Sequence, residues 1–293
     1  MNFLLTYKCL SNCKFCFVPK EIKNKQSEMT FTQFKNNLNH INKIYKNKKP
    51  VLGILGGEPT CAKDFPMIIG YAKTYKGWVR LYSNLITDTN NIKYLLGAKN
   101  IVVSWNISSY IQASTENKKL ILKNLKLVKK DLKNNFLASI TLYKDFQIKD
   151  FFKIIKVLKK YDIKNIRVAL DSTNYNIFKN YGIKIFEFIK YLKSLNFNLY
   201  SSSCGHFIKN IFTKEQETYL KENVYNFKYN NCLKNYPLDV LPDGTVVPCV
   251  SFSNKSKNIK FLYYKSITSL KKEISKKFNL AKTKYKNCIA NKF

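Results

Sequence analysis

Cys9-Leu-Ser-Asn-Cys13-Lys-Phe-Cys16 is the stretch on which the reading of this chain turns. Three thiols, with three and then two residues between them, can converge on one small inorganic object. Thiolates are the usual protein ligands of iron–sulfur clusters. Three ligands are one fewer than the irons of a cubane cluster, so one iron is left for a group that is not protein. A structural zinc site would close with four protein ligands instead. The plainer alternative for the triplet is a fragment of a zinc site or a redox-inert loop.

Downstream, Pro50-Val-Leu-Gly-Ile-Leu55 reads as a buried strand and ends in Gly56-Gly57-Glu58-Pro59-Thr60. The two glycines let backbone approach a ligand within van der Waals reach and take positive φ where required. Glu58 offers a carboxylate to an ammonium group, and Pro59 stiffens the turn. Taken alone, an ordinary strand-to-helix turn explains this motif equally well.

Taken together, the triplet, with Phe15 before its last thiol, and the Gly56–Pro59 motif, each after a predicted strand, resemble the signature of the radical SAM enzymes. The resemblance implies a [4Fe–4S] cluster on Cys9, Cys13 and Cys16, its open iron chelated by S-adenosylmethionine. It implies reductive cleavage of the sulfonium to a 5′-deoxyadenosyl radical that abstracts hydrogen from substrate. Gly57 and Glu58, after Gly56, carry over to the methionyl amino group. Ser83 and Asn84 fall where the family places polar groups near the methionyl carboxylate, and Ser104 and Asn106 where they reach the ribose. Phe15 falls beside the adenine. Ordinary loop polar residues account for both pairs just as well. Phe17 and Thr141 are further candidates without support of their own. Cys61 is either a small buried core residue or a thiol that gives hydrogen to a substrate radical.

Apolar spacing supplies the architecture. Strands are expected at Phe3–Tyr7, Pro50–Leu55, Val79–Ser83, Ile101–Trp105, Phe136–Leu142 and Asn165–Leu170. Helices are expected at Thr30–Tyr45, Pro66–Thr74, Ile92–Leu96, Lys118–Leu132, Ile148–Tyr161 and Ile177–Leu195. Such alternation gives parallel strands with crossover helices. Six units are fewer than the eight of a closed barrel. The expected fold is therefore α/β, a partial (βα)6 TIM-type barrel over residues 1–200, which the resemblance also implies. A small C-terminal β-hairpin/helix domain over residues 201–293 is expected to follow.

Helical periodicity fades after Leu195, and the remaining cysteines appear there: Cys204, Cys232, Cys249 and Cys288. Two apolar runs flank Asp243-Gly244, which reads as a β-hairpin. The order Cys232, Gly244, Cys249 resembles the opening of the SPASM and Twitch extensions, which hold auxiliary iron–sulfur clusters. A full SPASM domain would continue with a dense run of cysteines, whereas here only Cys288 follows and Asn291 stands at the next partner position. The resemblance thus implies one auxiliary [4Fe–4S] cluster on Cys232, Cys249 and Cys288. Cys204, a substrate group or a radical-quenching thiol takes the fourth place. Core cysteines or a zinc knuckle are the plainer alternatives, and His206 is another possible ligand.

The whole chain sets the bounds. Its 293 residues suffice for one large α/β domain with a small appendage. No apolar run reaches the ~18–20 residues of a membrane span, and the first residues lack the basic flank of a signal peptide. A cytoplasmic, oxygen-sensitive protein is expected. Eight cysteines in such a chain argue for metal or catalysis rather than disulfides. The net charge of +34 would attract nucleic acid or an acidic partner. The lysines are nevertheless scattered over helices and form no single stripe, so nucleic acid is not favoured. The implied partners are a peptide or small-molecule substrate and a flavodoxin- or ferredoxin-type electron donor. A peptide, as for many SPASM and Twitch relatives, is the first expectation, although the barrel begins with no recognition domain ahead of it. Oxidation or rearrangement of a nucleotide, sugar or tRNA base is the second. A non-catalytic metal-containing nucleic-acid-binding protein is the alternative from another class.

Overall fold

The computed structural model describes residues 1–16, 18, 22, 27–45, 49–132, 135–143, 146–171, 182–201, 212–227, 238–249 and 259–277, and all that follows concerns these. Its centre is a sheet of parallel strands that pair in chain order. They are β1 (Asn2–Leu4), β2 (Leu52–Leu55), β3 (Val79–Ser83), β4 (Ile101–Asn106), β5 (Phe136–Leu142), β6 (Asn165–Leu170), β7 (Asn198–Ser201) and β8 (Val224–Tyr225). A hairpin of β9 (Asp239–Val240) and β10 (Val246–Val247) joins the free side of β1, with β9 parallel to β1 and β10 antiparallel to β9. The sheet order is β10-β9-β1-β2-β3-β4-β5-β6-β7-β8, so it does not close.

Parallel strands covered on both faces read as apolar runs, and Phe3, Leu4, Leu52, Ile54, Leu81, Val103, Ile140 and Ile166 all have side chains at 0% exposure. Amphipathic helices cover the outside. The first long one, α1 (Phe31–Ile44), is started by Thr30, whose hydroxyl accepts from the Gln33 backbone N–H while Gln33 caps in return. It buries Phe34, Leu38 and Ile41, one face of a 3.6-residue period. The short α2 (Phe65–Ala72) and α3 (Thr89–Lys93) follow β2 and β3. The lysine-rich α5 (Thr115–Leu132), after a brief α4 (Ile107–Gln112), turns Ile121, Leu125, Val128 and Leu132 inward. Then come α6 (Ile148–Lys160) and α7 (Gly182–Ser194).

The six expected strands and the open barrel are found. The structure departs from expectation after α7. There β7, a capped helix α8 (Lys214–Asn223) and β8 extend the same parallel sheet. α8 buries only Leu220, which is why no apolar period announced it. The Thr213 and Gln216 capping box was its legible signal. The expected hairpin turns at Gly244, whose φ of +77° is open to glycine at little cost. A last helix, α9 (Ile267–Lys277), buries Leu270 and Ile274.

Candidate functional site

The site is assembled where β1, β2 and β3 end. Beyond Leu4 the chain stays against β2, with Leu5 N–H donating to Leu55 O at 2.8 Å, and leaves the sheet at Lys8 to enter the cysteine loop. The two glycines fix that exit. Gly57 N–H donates to Thr6 O at 2.8 Å and Glu58 N–H to Lys8 O at 2.7 Å. A Cβ on Gly56 would lie 2.6 Å from Thr6 O, and one on Gly57 would strike the Tyr7 and Lys8 carbonyls. Neither glycine has positive φ. They are glycines because backbone packs on backbone here, a tighter constraint than the ligand approach expected from sequence.

Glu58 departs further from expectation. Its side chain is 0% exposed and is not part of the cavity lining, lying behind Ser83 and Asn84, which are. Thr60 Oγ1 (2.8 Å), Thr60 N (3.3 Å) and Ser83 Oγ (2.9 Å) donate to Oε1, and Asn84 N donates to Oε2 at 2.8 Å. Burial pushes its pKa up, and these four donors pull it back. The carboxylate therefore ties the end of β2 to the end of β3. From there Asn84 Nδ2 reaches Ser11 Oγ at 2.9 Å and Cys9 Sγ at 3.5 Å, while Ser11 N–H donates to Cys9 Sγ at 3.3 Å. Cys16 N–H donates to Cys13 O at 3.1 Å, closing a turn between those two thiols.

Cys9, Cys13 and Cys16 line one cavity with Phe15, Gly56, Gly57, Ser83, Asn84, Ser104, Asn106 and Cys249. β4 and β5 supply the floor at alternate residues, the period of a pleated strand, through Ser104 and Asn106 and through Ser139 and Thr141, and β6 adds Arg167, Ala169 and Leu170, with Asp171 just after it. Register places Asn106, Ser139 and Arg167 in one row. Arg167 Nε donates to Ser139 Oγ at 3.2 Å, and its guanidinium lies 5.1 Å from the centre of the Tyr82 ring. Phe15 packs on Tyr143 with ring centres 5.3 Å apart. The hairpin adds Asp239, which accepts from Asn2 Nδ2 at 2.7 Å. On a chain of charge +34, the described lining holds two aspartates, one arginine and no lysine.

Two buried polar atoms in this lining, Ser104 Oγ and Asn106 Oδ1, have no hydrogen-bond partner among the described residues. Buried polar atoms are rarely left so, which marks a place for a polar ligand. Among the described residues no three His, Cys, Asp or Glu side chains close on a single metal ion. A cubane binds each thiolate at a different iron, so thiols that share a cavity wall without meeting at one point suit it. The donor set and the orphaned atoms thus fit a cluster with a polar cofactor beside it.

Cys61 ends a 3-10 turn (Pro59–Cys61) and is not among the residues lining the cavity, which favours the reading of it as a small core residue. Burial, then Glu58, pushes its thiol up to about 12. Cys204, Cys232 and Cys288, with Phe17 and His206, lie outside the described residues. Sequence reasoning passed over Tyr82, Ser139, Arg167, Asp171 and Asp239. The arginine between Ile166 and Val168 in β6 was a signal, although Arg80 sits in β3 in the same way without lining the cavity.

The family model described as the Radical SAM superfamily matches residues 3–172. Among solved structures, the chain is similar to Streptococcus suis SuiB bound to precursor peptide SuiA. That match has a TM-score of 0.62 at 16% identity and covers 86% of this chain and 59% of the other. SuiB bound to S-adenosylmethionine matches at 0.60 and 16%, covering 89% and 62%. Native anSMEcpe with bound AdoMet and Cp18Cys peptide matches at 0.61 and 15%, covering 92% and 79%. The chain thus spans 59% of the length of the peptide-bound SuiB chain, and likeness at such identities speaks for the fold. No curated protein sequence matches.

Proposed function

Because this chain belongs to the radical SAM superfamily, we propose that it is an enzyme that cleaves S-adenosylmethionine reductively and modifies a peptide. The observation that carries the reading is the shared cavity of Cys9, Cys13, Cys16, Gly56 and Gly57 with the unpartnered Ser104 and Asn106. Cys9, Cys13 and Cys16 would hold a [4Fe–4S] cluster. Backbone at Gly56–Gly57 would face the methionyl end, Ser104 and Asn106 the ribose hydroxyls, and Phe15 with Tyr143 the adenine. When bound, the cluster and S-adenosylmethionine supply a 5′-deoxyadenosyl radical. The chain's own part is to orient these groups and to keep water out through the apolar wall of Tyr7, Val18, Leu55 and Leu170.

A peptide is preferred over a nucleic acid for two reasons. SuiB and anSMEcpe were both solved with peptides bound. A phosphate backbone needs several cationic contacts, whereas the described cavity lining offers only Arg167. The positive charge belongs to the exterior, where it suits an acidic flavodoxin- or ferredoxin-type donor beside Leu10, 66% exposed in the cysteine loop. We assign residues 1–200 to the barrel and 201–293 to a SPASM/Twitch-like extension, of which α8 and β8 continue the barrel sheet at one edge and the β9–β10 hairpin joins it at the other. Within it Cys249 would join Cys232, Cys288 and Cys204 on an auxiliary cluster.

The test is oxygen-free purification, an iron and sulfide count, and addition of S-adenosylmethionine and dithionite. The expected result is release of 5′-deoxyadenosine with about eight irons per chain for two clusters. About four irons with cleavage would remove the auxiliary cluster and keep the enzyme. Zinc without cleavage would overturn the proposal.

A further inference from the structure

We propose that Asn84 sets the reduction potential of the cluster assigned to Cys9, Cys13 and Cys16, by donating its side-chain amide to the Cys9 sulfur. The inference rests on the reading that these three thiols hold an iron–sulfur cluster. Asn84 Nδ2 lies 3.5 Å from Cys9 Sγ and 2.9 Å from Ser11 Oγ. The orientation of the amide is fixed from its other end, where Oδ1 accepts from Ile86 N–H at 2.7 Å. A turned amide would set its NH₂ group against that N–H, so the nitrogen must face the sulfur. The local turn needs only the oxygen, and aspartate would close it as well. What asparagine adds is the donor.

The backbone beside Asn84 is held in an unfavourable form. Leu85, the next residue, has a φ of +61° and is completely buried. That left-handed region is open to glycine and costly for a residue with a Cβ. Such conformations persist where surrounding bonds over-determine them, and they gather at functional sites. Here Leu85 N–H donates to Ser83 Oγ at 2.9 Å, and Leu85 O accepts at 3.0 Å from Asn124 Nδ2 of α5, which also donates to Thr87 O. On the other side, Asn84 N–H donates to the buried Glu58 carboxylate at 2.8 Å. Glu58, Ser83 and Asn124 thus aim Asn84 at Cys9 without help from the cysteine loop. Cys9 Sγ also accepts from Ser11 N–H at 3.3 Å, so two N–H donors converge on one sulfur. Reduction adds negative charge to a cluster and its thiolates. Hydrogen bonds to sulfur therefore favour the reduced form and raise the potential.

The experiment is a redox titration of the anaerobically reconstituted holoenzyme, followed by paramagnetic resonance, with any signal that survives Cys13→Ala subtracted. Asn84→Leu removes the amide donor at similar volume. Asn84→Asp keeps the oxygen that closes the turn and sets negative charge beside the sulfur. Both are expected to move the midpoint to more negative potential at wild-type iron content. At the wild-type midpoint, the ratio of reduced to oxidised cluster should fall about fivefold in Asn84→Leu, the worth of one hydrogen bond, and further in Asn84→Asp. In pulsed resonance after exchange into deuterium oxide, Asn84→Leu should also lose a deuteron coupling that the wild type shows. An unchanged or raised midpoint in the iron-loaded variants would overturn the inference. Loss of iron from both variants would also overturn it, since Asn84 would then merely hold the loop together. A wild-type protein with no cluster on these cysteines would overturn the reading of the cavity as well.

Discussion

Replacing Glu58 with alanine is expected to cost about 3–5 kcal/mol of folding stability, a large part of what a domain possesses. The side chain is completely buried and collects four hydrogen bonds from three residues. The Thr60 and Ser83 hydroxyls can rotate toward other acceptors, but the backbone N–H groups of Thr60 and Asn84 cannot. Each buried donor left without an acceptor costs about 1–3 kcal/mol, and the vacated volume adds to that. Glu58→Gln keeps one acceptor oxygen and sets an amide N–H₂ against a donor, so about half the loss should remain. Chemical denaturation of the three proteins measures this. The same change should loosen the Cys9 loop, because Asn84, whose side chain holds Ser11 and Cys9, has its backbone N–H held by Glu58.

Gly57→Ala is the second large effect. The added methyl would lie 2.5 Å from Tyr7 O and closer still to Lys8 O. Both obstacles are backbone, so no side chain can swing aside. Relief requires the β2 turn and the strand leading to the cysteines to separate, against the hydrogen bonds Gly57 N–Thr6 O and Glu58 N–Lys8 O. Overpacking of this kind costs about 1–3 kcal/mol where neighbours can yield, and the upper end or more is expected here. Iron retained after reconstitution should fall with it. Gly70 is the control. It lies on the exposed side of α2 with nothing within 4 Å of a built Cβ. Gly70→Ala should stabilise by about 0.5–1 kcal/mol and leave iron content alone. A Gly57→Ala protein of wild-type stability and iron content would contradict the role given to the glycine pair.

Much of this was legible in the sequence, for definite reasons. The barrel strands bury both faces, so Phe3, Ile54, Leu81 and Ile140 appear as short apolar runs, and α1 and α5 carry clean helical periods. β7, α8 and β8 were not read, because strands of 4 and 2 residues and a helix with one buried leucine leave little pattern. In the site, Cys9, Cys13, Cys16, Gly56, Gly57, Ser104 and Asn106 were identified by type and place and do line one cavity. What sequence could not give is direction. A buried glutamate after two glycines looks the same whether it faces a ligand or the neighbouring strand, and Glu58 faces Ser83 and Asn84. Arg167 was missed because its meaning depends on Tyr82, which is separated from it by two strands of the sheet and meets it only in the folded protein.

The central claim is that the three thiols leave one iron free and that S-adenosylmethionine binds it. Paramagnetic resonance of the dithionite-reduced protein, recorded without and with S-adenosylmethionine, tests this most directly. A reduced [4Fe–4S] signal whose line shape changes on addition, and which is absent from Cys13→Ala apart from any auxiliary-cluster signal, is the predicted result. A spectrum indifferent to S-adenosylmethionine, or a cluster signal undiminished by Cys13→Ala, would contradict the account.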